Sequence, residues 1–265
     1  FYFEGFGVDI DYIKAEKFYQ KYIKFYSTKS QEEISVSYLN LVYSDLFYLY
    51  RYILNDKKNH QLVFEYANKA YEFGYDYAAL DIGQMYTEGS GVKKDIEKAI
   101  YWLEIAIKKS NSEIAMSDLA HIFEYEKQDF EKAFNLNLRA AEFEYSNASF
   151  DVGRYYEKGI FDKKNLDTAA YWYEKSAEQG LITGAQKLAK FHSLNLLSDS
   201  SKEKEEYWLN FAFEMDDEHD STSSTILARK LITGDGIEKD VDLGLQYLTN
   251  AALNDPSMIN EILLI

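Results

Sequence analysis

The sequence predicts an all-α solenoid of stacked antiparallel helix pairs, each packing on its neighbours. Three observations carry this. The block Tyr86-Thr-Glu-Gly-Ser-Gly-Val-Lys-Lys-Asp-Ile-Glu-Lys-Ala-Ile-Tyr-Trp102 has a counterpart 84 residues earlier, in Tyr2, Glu4-Gly-Phe-Gly-Val8, Asp11, Lys14-Ala15 and Phe18. Further copies run from Tyr156-Glu-Lys-Gly159 to Ala169 and Trp172, and from Gly234-Asp-Gly-Ile237 through Asp240 to Tyr247. Between them, apolar residues recur at three- and four-residue spacing, and no alternating strand pattern is bounded by hairpin turns.

The elements follow in order. Residues 1–26 supply a turn and a second helix only. Residues 37–74 form a full unit, with Leu46, Phe47 and Tyr50 aligned to Ile82, Gly83 and Tyr86, and with Asn55-Asp-Lys-Lys-Asn59 replacing the glycine turn. Residues 75–110 are the clearest unit. Its first helix runs from Asp76 to about Glu88, and Gly89-Ser-Gly91 forms a turn that exploits positive φ. Asp95 is the N-cap of a second helix reaching about Lys109. Ala78, Ile82, Met85 and Tyr86 make one apolar stripe, and Ala99, Trp102, Ile105 and Ala106 make the facing one.

Residues 111–144 are a shortened unit turning at Glu124-Tyr-Glu-Lys-Gln-Asp129. Residues 145–180 are near ideal, 181–215 have an irregular turn at Ser198-Asp-Ser-Ser-Lys202, and 216–254 complete the series. Pro256 then opens a terminal helix, 256–265, whose Met258, Ile259, Ile262 and Leu263 would cover the open end of the stack.

Composition narrows the function classes. At 46% hydrophobic and 17% aromatic, the 265 residues suffice for one continuous core, read as a single domain over 1–265. The net charge of −16 repels phosphate backbones, so nucleic acid is not an expected partner. The same charge keeps the chain soluble and suits a basic protein. Cysteine is absent, which removes disulfides and cysteine-based zinc sites and fits a reducing compartment. No apolar run approaches a membrane span. A cytoplasmic location is therefore expected. Because the first residue falls inside a repeat, the chain reads as a fragment, and an upstream signal peptide would place it in the periplasm instead.

The repeated residues resemble Sel1-like repeats, relatives of tetratricopeptide repeats. The pattern stands here as Ala78, Ile82-Gly83, Tyr86, Gly89-Ser-Gly91-Val92, Asp95, Lys98-Ala99, Tyr101-Trp102 and Ala106. It stands again as Ala148, Val152-Gly153, Tyr156, Gly159, Ala169-Ala170, Trp172-Tyr173, Ala177 and Gly180. Phe47 and Ala120 replace the helix glycine, and His192 replaces the tyrosine. The resemblance implies a right-handed superhelix and an adaptor that holds a protein partner without chemistry.

Sites of chemistry find little support. The three tryptophans share one repeat position, with Phe18, Tyr66, Leu136 and Tyr247 at its equivalents, so inter-helix packing explains them better than ligand stacking. Gly89-Ser-Gly91 follows no strand, which argues against a phosphate loop. The histidines 60, 121, 192 and 219 show no zinc spacing, and His192 belongs at a buried, hydrogen-bonded position. The Asp216-Asp-Glu-His-Asp220 run lacks the spacing of a calcium loop. Ser201-Lys-Glu-Lys204 matches Ser-x-x-Lys, a pattern of penicillin-binding proteins, but stands without its partner motifs. No catalytic residue, metal or cofactor is expected.

Related tetratricopeptide geometry places an inner groove on the first helices. Its predicted lining is Tyr48, Arg51, Tyr52, Tyr77, Gln84, Glu88, His121, Glu124 and Tyr125, then Phe150, Arg154, Glu157, Lys158, Lys190 and Arg229, with Gln186 and Thr225 beside them. The chain has four arginines, and three of them, Arg51, Arg154 and Arg229, fall in this set. Arginine and tyrosine are common anchors of binding surfaces. Equally, such arginines tie neighbouring repeats together through glutamate. The expected function is a scaffold that grips a protein in this groove. Two narrower readings are an immunity protein that neutralises a basic secreted toxin, and a cell-envelope scaffold.

Overall fold

A computed structural model of the chain describes residues 11–26, 36–53, 59–160, 163–215, 221–234 and 239–254. Among them are thirteen α-helices and no strand. The all-α solenoid class read from the repeats is what is found. The terminal helix expected at 256–265, the Asp216–Asp220 run and most of the turns at Asn55–Asn59 and Gly234–Ile237 lie outside the described residues.

The chain divides into two compact modules, 1–127 and 128–265. The N-terminal module holds α1 (Tyr12–Tyr26), α2 (Val36–Tyr48), α3 (His60–Glu72), α4 (Ala78–Glu88), α5 (Ile96–Ser110) and α6 (Glu113–His121). The C-terminal module holds α7 (Phe130–Glu142), α8 (Ser146–Lys158), α9 (Leu166–Glu178), α10 (Ile182–Ser193), α11 (Lys202–Glu214), α12 (Ser221–Thr233) and α13 (Val241–Asn254).

The second helix of nearly every pair starts on a side-chain cap. Asp11, Asp95, Asp129, Asn165, Ser201 and Asp240 each accept the backbone N–H three residues on, at 2.9–3.2 Å. Such a cap satisfies one orphan donor and is worth about 1 kcal/mol. The Ser201 hydroxyl is thus a helix cap of α11. The turns before α5 and α9 begin with Gly89 and Gly159 in the left-handed region, at φ 76 and 64°.

Apolar residues run continuously across successive hairpins. In the N-terminal module Leu46, Phe47 and Tyr50 pack with Val63, Tyr66 and Ala67, and these with Ala78, Ile82 and Met85. In the C-terminal module Ala169, Tyr173 and Ala177 pack with Leu188 and Phe191, and these with Trp208, Leu209 and Ala212. Removing a large buried side chain from such a layer costs several kcal/mol. Trp208 is buried, while Trp102 and Trp172 are half-buried, with Trp102 edge-on to Tyr71 at 4.9 Å. The shared tryptophan register is a packing register. Phe18, at the same position in the first repeat, is exposed.

The helix glycine has a steric reason. A methyl group on Gly83 would lie 2.8 Å from Leu103 Cγ, and one on Gly153 would lie 2.8 Å from Tyr173 Cε1. Both glycines let the paired second helix close on the first.

Two first helices depart from expectation. After α2 and α6 the backbone widens into π-helical turns, Leu49–Ile53 and Ile122–Glu126. The turn expected at Glu124–Asp129 therefore starts later, at Lys127, whose N–H bonds Ile122 O at 3.1 Å. Both widened helices belong to units without the glycine turn, and Ile122–Glu126 ends on Lys127 and a left-handed Gln128, φ 55°. In the third such unit, α10 ends on Leu194 and a left-handed Asn195, φ 51°.

Candidate protein-binding surfaces

In the N-terminal module the predicted lining separates into exposed rings over buried carboxylates. Tyr48, Tyr52, Tyr77 and Tyr125 are all exposed, and the Tyr48 and Tyr52 rings lie 5.1 Å apart. Tyr52 OH donates to Asp81 Oδ1 at 2.8 Å. Asp81, on α4, is only 8% exposed. Burial raises its carboxyl above the ordinary value, against the opposing pull of Tyr52 and of the Arg51 charge. Burial and the neighbouring Asp81 push the Tyr52 phenol up to about 12. Arg51 is therefore part of this local cluster and is half-buried.

One repeat further on, Gln84 Nε2 donates to Asp118 Oδ2 at 2.8 Å, and burial raises the Asp118 carboxyl. These residues border a cavity of about 330 Å³ between α4 and α6. It brings together Gln84, Glu88, His121 and Tyr125 from the predicted set. Glu124 is not among them. The π-helical turn rotates it inward, leaving it 5% exposed, so its assignment to the groove is corrected. Asp81 and Asp118 are missing from the predicted lining. Their signal was a carboxylate among buried positions of a helix, where a partner is obligatory.

In the C-terminal module a cavity of about 390 Å³ opens between the first helices α8, α10 and α12, with α11 behind them. Phe150, Leu209 and Ile226 give it apolar walls, and Thr183, Gln186 and Lys190 give it polar edges. Phe150, Gln186 and Lys190 were expected there. Leu209 reaches it from a second helix, which the periodicity of first helices does not reveal. Glu205 also lines it and pairs with Lys230 at 2.9 Å, both side chains nearly buried.

Two other predicted residues of this module, Arg154 and Glu157, have structural partners. Arg154 Nε donates to Asp151 Oδ1 at 3.0 Å, with side chains 14% and 13% exposed, and its guanidinium packs on Tyr155 at 5.1 Å. Glu157 accepts from Tyr173 OH at 2.5 Å and from Lys187 Nζ at 2.9 Å. Burial alone would raise the Glu157 carboxyl, but Tyr173 and Lys187 together hold it below its ordinary value. Lys158 and Arg229 are exposed. His192 is buried as expected, but its Nδ1 has no hydrogen-bond partner among the described residues, and burial lowers its pKa.

Among the described residues no three His, Asp or Glu side chains could hold a metal ion, and no helix is long and apolar enough to cross a membrane.

Comparison with known proteins places the chain. The Sel1 repeat family model matches residues 1–21, 76–111, 114–142, 146–181 and 227–256, more than half of the sequence. A protective antigen of uropathogenic Escherichia coli displaying an SLR fold superposes with a TM-score of 0.70 at 26% identity, over 95% of this chain and 51% of that one. This chain thus spans about half the length of that antigen. A Sel1 repeat protein from Oxalobacter formigenes gives a TM-score of 0.69 at 22% identity, over 92% of this chain and all of that one. An immunity protein of Pseudomonas aeruginosa reaches a TM-score of only 0.34 at 18% identity, over 58% of this chain and 74% of that one, too slight a likeness to carry an argument. No curated protein sequence matches. Residues 37–74 and 182–215 lie outside the family-model match, yet their described residues form the helix pairs α2–α3 and α10–α11.

Proposed function

The chain belongs to the Sel1 repeat family, whose members are generally protein-interaction scaffolds, and from that we propose that it grips a protein segment on the first-helix faces of its repeats. The observation that carries the reading is the cavity between α8, α10 and α12. Its apolar walls accept an anchoring side chain, while Lys190 and Gln186 at its edge set orientation. Ile226, an exposed apolar residue on its wall, is a contact that water covers poorly until a partner arrives. The scaffold is non-catalytic, a role in keeping with the family.

A basic partner is favoured by the net charge of −16 and by Glu88, Asp118 and Glu126 around the N-terminal cavity. An immunity protein that neutralises a basic toxin is the narrow form of this reading. It rests on charge alone, and co-expression with the product of a neighbouring toxin-like gene tests it by growth rescue.

For the scaffold reading, a partner recovered from the native cell is identified by mass spectrometry, purified and titrated against the wild type, Lys190→Glu and Ile226→Asp. At least tenfold weaker binding with unchanged melting is expected for each variant. Unchanged affinity in both removes this surface from the function.

A further inference from the structure

The link between α10 and α11 closes a second cavity of about 340 Å³ in the C-terminal module, and this cavity shares no residue with the one at Lys190. Ser198 pins the link to the start of α9, donating its N–H (3.1 Å) and its hydroxyl (3.2 Å) to Asp167 Oδ1. Tyr171 from α9 and Tyr207 and Trp208 from α11 supply aromatic walls. The two tyrosines occupy the same repeat position, 36 residues apart, and both are exposed.

The charges in this cavity do not balance. Asp167, Glu174 and Asp199 face it, with Lys204 as the cation. Asp199 is paired with Lys204, and Asp167 holds Ser198. Glu174 makes no hydrogen bond or ion pair with the described residues. Burial, then the nearby Glu178 carboxylate, push the Glu174 carboxyl above its ordinary value, against the partial pull of the Lys204 charge. His192 forms part of the inner wall at 5% exposure, and its Nδ1 has no partner among the described residues. Burial favours the neutral ring, so it adds no competing charge. The aromatic side chains of α9 already hold one cation, since Lys175 Nζ lies 5.1 Å from the Trp172 ring centroid and 5.8 Å from that of Tyr171.

We propose that this cavity receives the guanidinium of an arginine side chain on a partner protein, as a second contact surface beside the first-helix cavity. A guanidinium is planar, so it stacks on tyrosine or tryptophan while presenting paired N–H donors to a carboxylate. Glu174 is the carboxylate it meets. An ammonium fills the charge but not the plane, and a neutral side chain leaves Glu174 as it is.

The test titrates a capped Gly-Arg-Gly peptide into the protein and follows the Trp208 indole N–H by NMR, assigned with Trp208→Phe. The capped Gly-citrulline-Gly peptide, uncharged and nearly isosteric, is the control. A saturable shift with arginine, none with citrulline, and a Kd at least fivefold weaker in Glu174→Gln are expected. Lys190→Glu leaves the shift unchanged, which separates this surface from the proposed groove. No saturable shift, equal shifts with citrulline, or undiminished binding in Glu174→Gln overturns the proposal.

Discussion

His60 and Gly91 meet backbone to backbone. A methyl group on Gly91 would lie 2.0 Å from the His60 carbonyl oxygen, and the neighbouring Ser90 Oγ sits 3.0 Å from His60 Nδ1. The glycine turn of one repeat is thus seated on the first residue of α3, the second helix of the repeat before it.

Gly91→Ala meets two penalties, a φ of 72° and a clash with main chain that cannot rotate away. A loss of about 3 kcal/mol or more in chemical denaturation is expected. Gly89→Ala shares the positive φ, 76°, but its methyl would lie 3.3 Å from the nearest atom, Lys94 N, so it loses less. Equal losses would show that the close approach to His60 does not matter.

Arg154→Glu removes a nearly buried partner from Asp151 and sets two carboxylates together. A loss of about 3 kcal/mol is expected, because breaking one side of a buried pair leaves an uncompensated charge. Circular dichroism melts of this variant beside Lys190→Glu, which stays close to wild type, check it.

Asp81 and Asp118 have carboxyls raised by burial, so the folded state holds their protons more tightly than the unfolded chain does. Their effect on stability is therefore favourable at low pH. It is lost as pH rises from the ordinary value of 3.8 through the raised values, and it stays lost above them. Denaturation midpoints of the wild type and of Asp81→Asn/Asp118→Asn across this window check it. The wild type is expected to fall relative to the variant as pH rises; a parallel course refutes the assignment.

Glu157 has the opposite sign. Its carboxyl is held low by Tyr173 and Lys187 against the cost of burial, so its contribution is present above the ordinary value of 4.5 and lost as pH falls through the folded value. Glu157→Gln is expected to cost about 1–2 kcal/mol at neutral pH. That deficit should shrink in acid, read from urea midpoints at pH 7 and below 4.

The repeat lattice was legible because its marks are local. Asp95 caps α5, Gly89 turns left-handed, and α4 ends at Glu88 as its spacing predicts. The candidate surface was legible only in part. Phe150, Gln186 and Lys190 reach their cavity because repeat register alone sets their direction. Glu124 does not, because it lies within the π-helical turn Ile122–Glu126 and is buried there, and no composition rule marks that widening. Arg154 was read as a free anchor because Asp151, three residues away, looked like one more surface carboxylate; both are nearly buried. Leu209 was missed because second helices count as core in a two-helix repeat.

The π-helical turns at Leu49–Ile53 and Ile122–Glu126 have a wider meaning for how such chains diversify. A widening absorbed within one coil leaves every later hairpin in step, so its effect is confined to a single rung. Each widened turn nonetheless displays an exposed ring, Tyr52 in one and Tyr125 in the other. Selection can in this way alter what a rung displays while the ladder keeps its spacing.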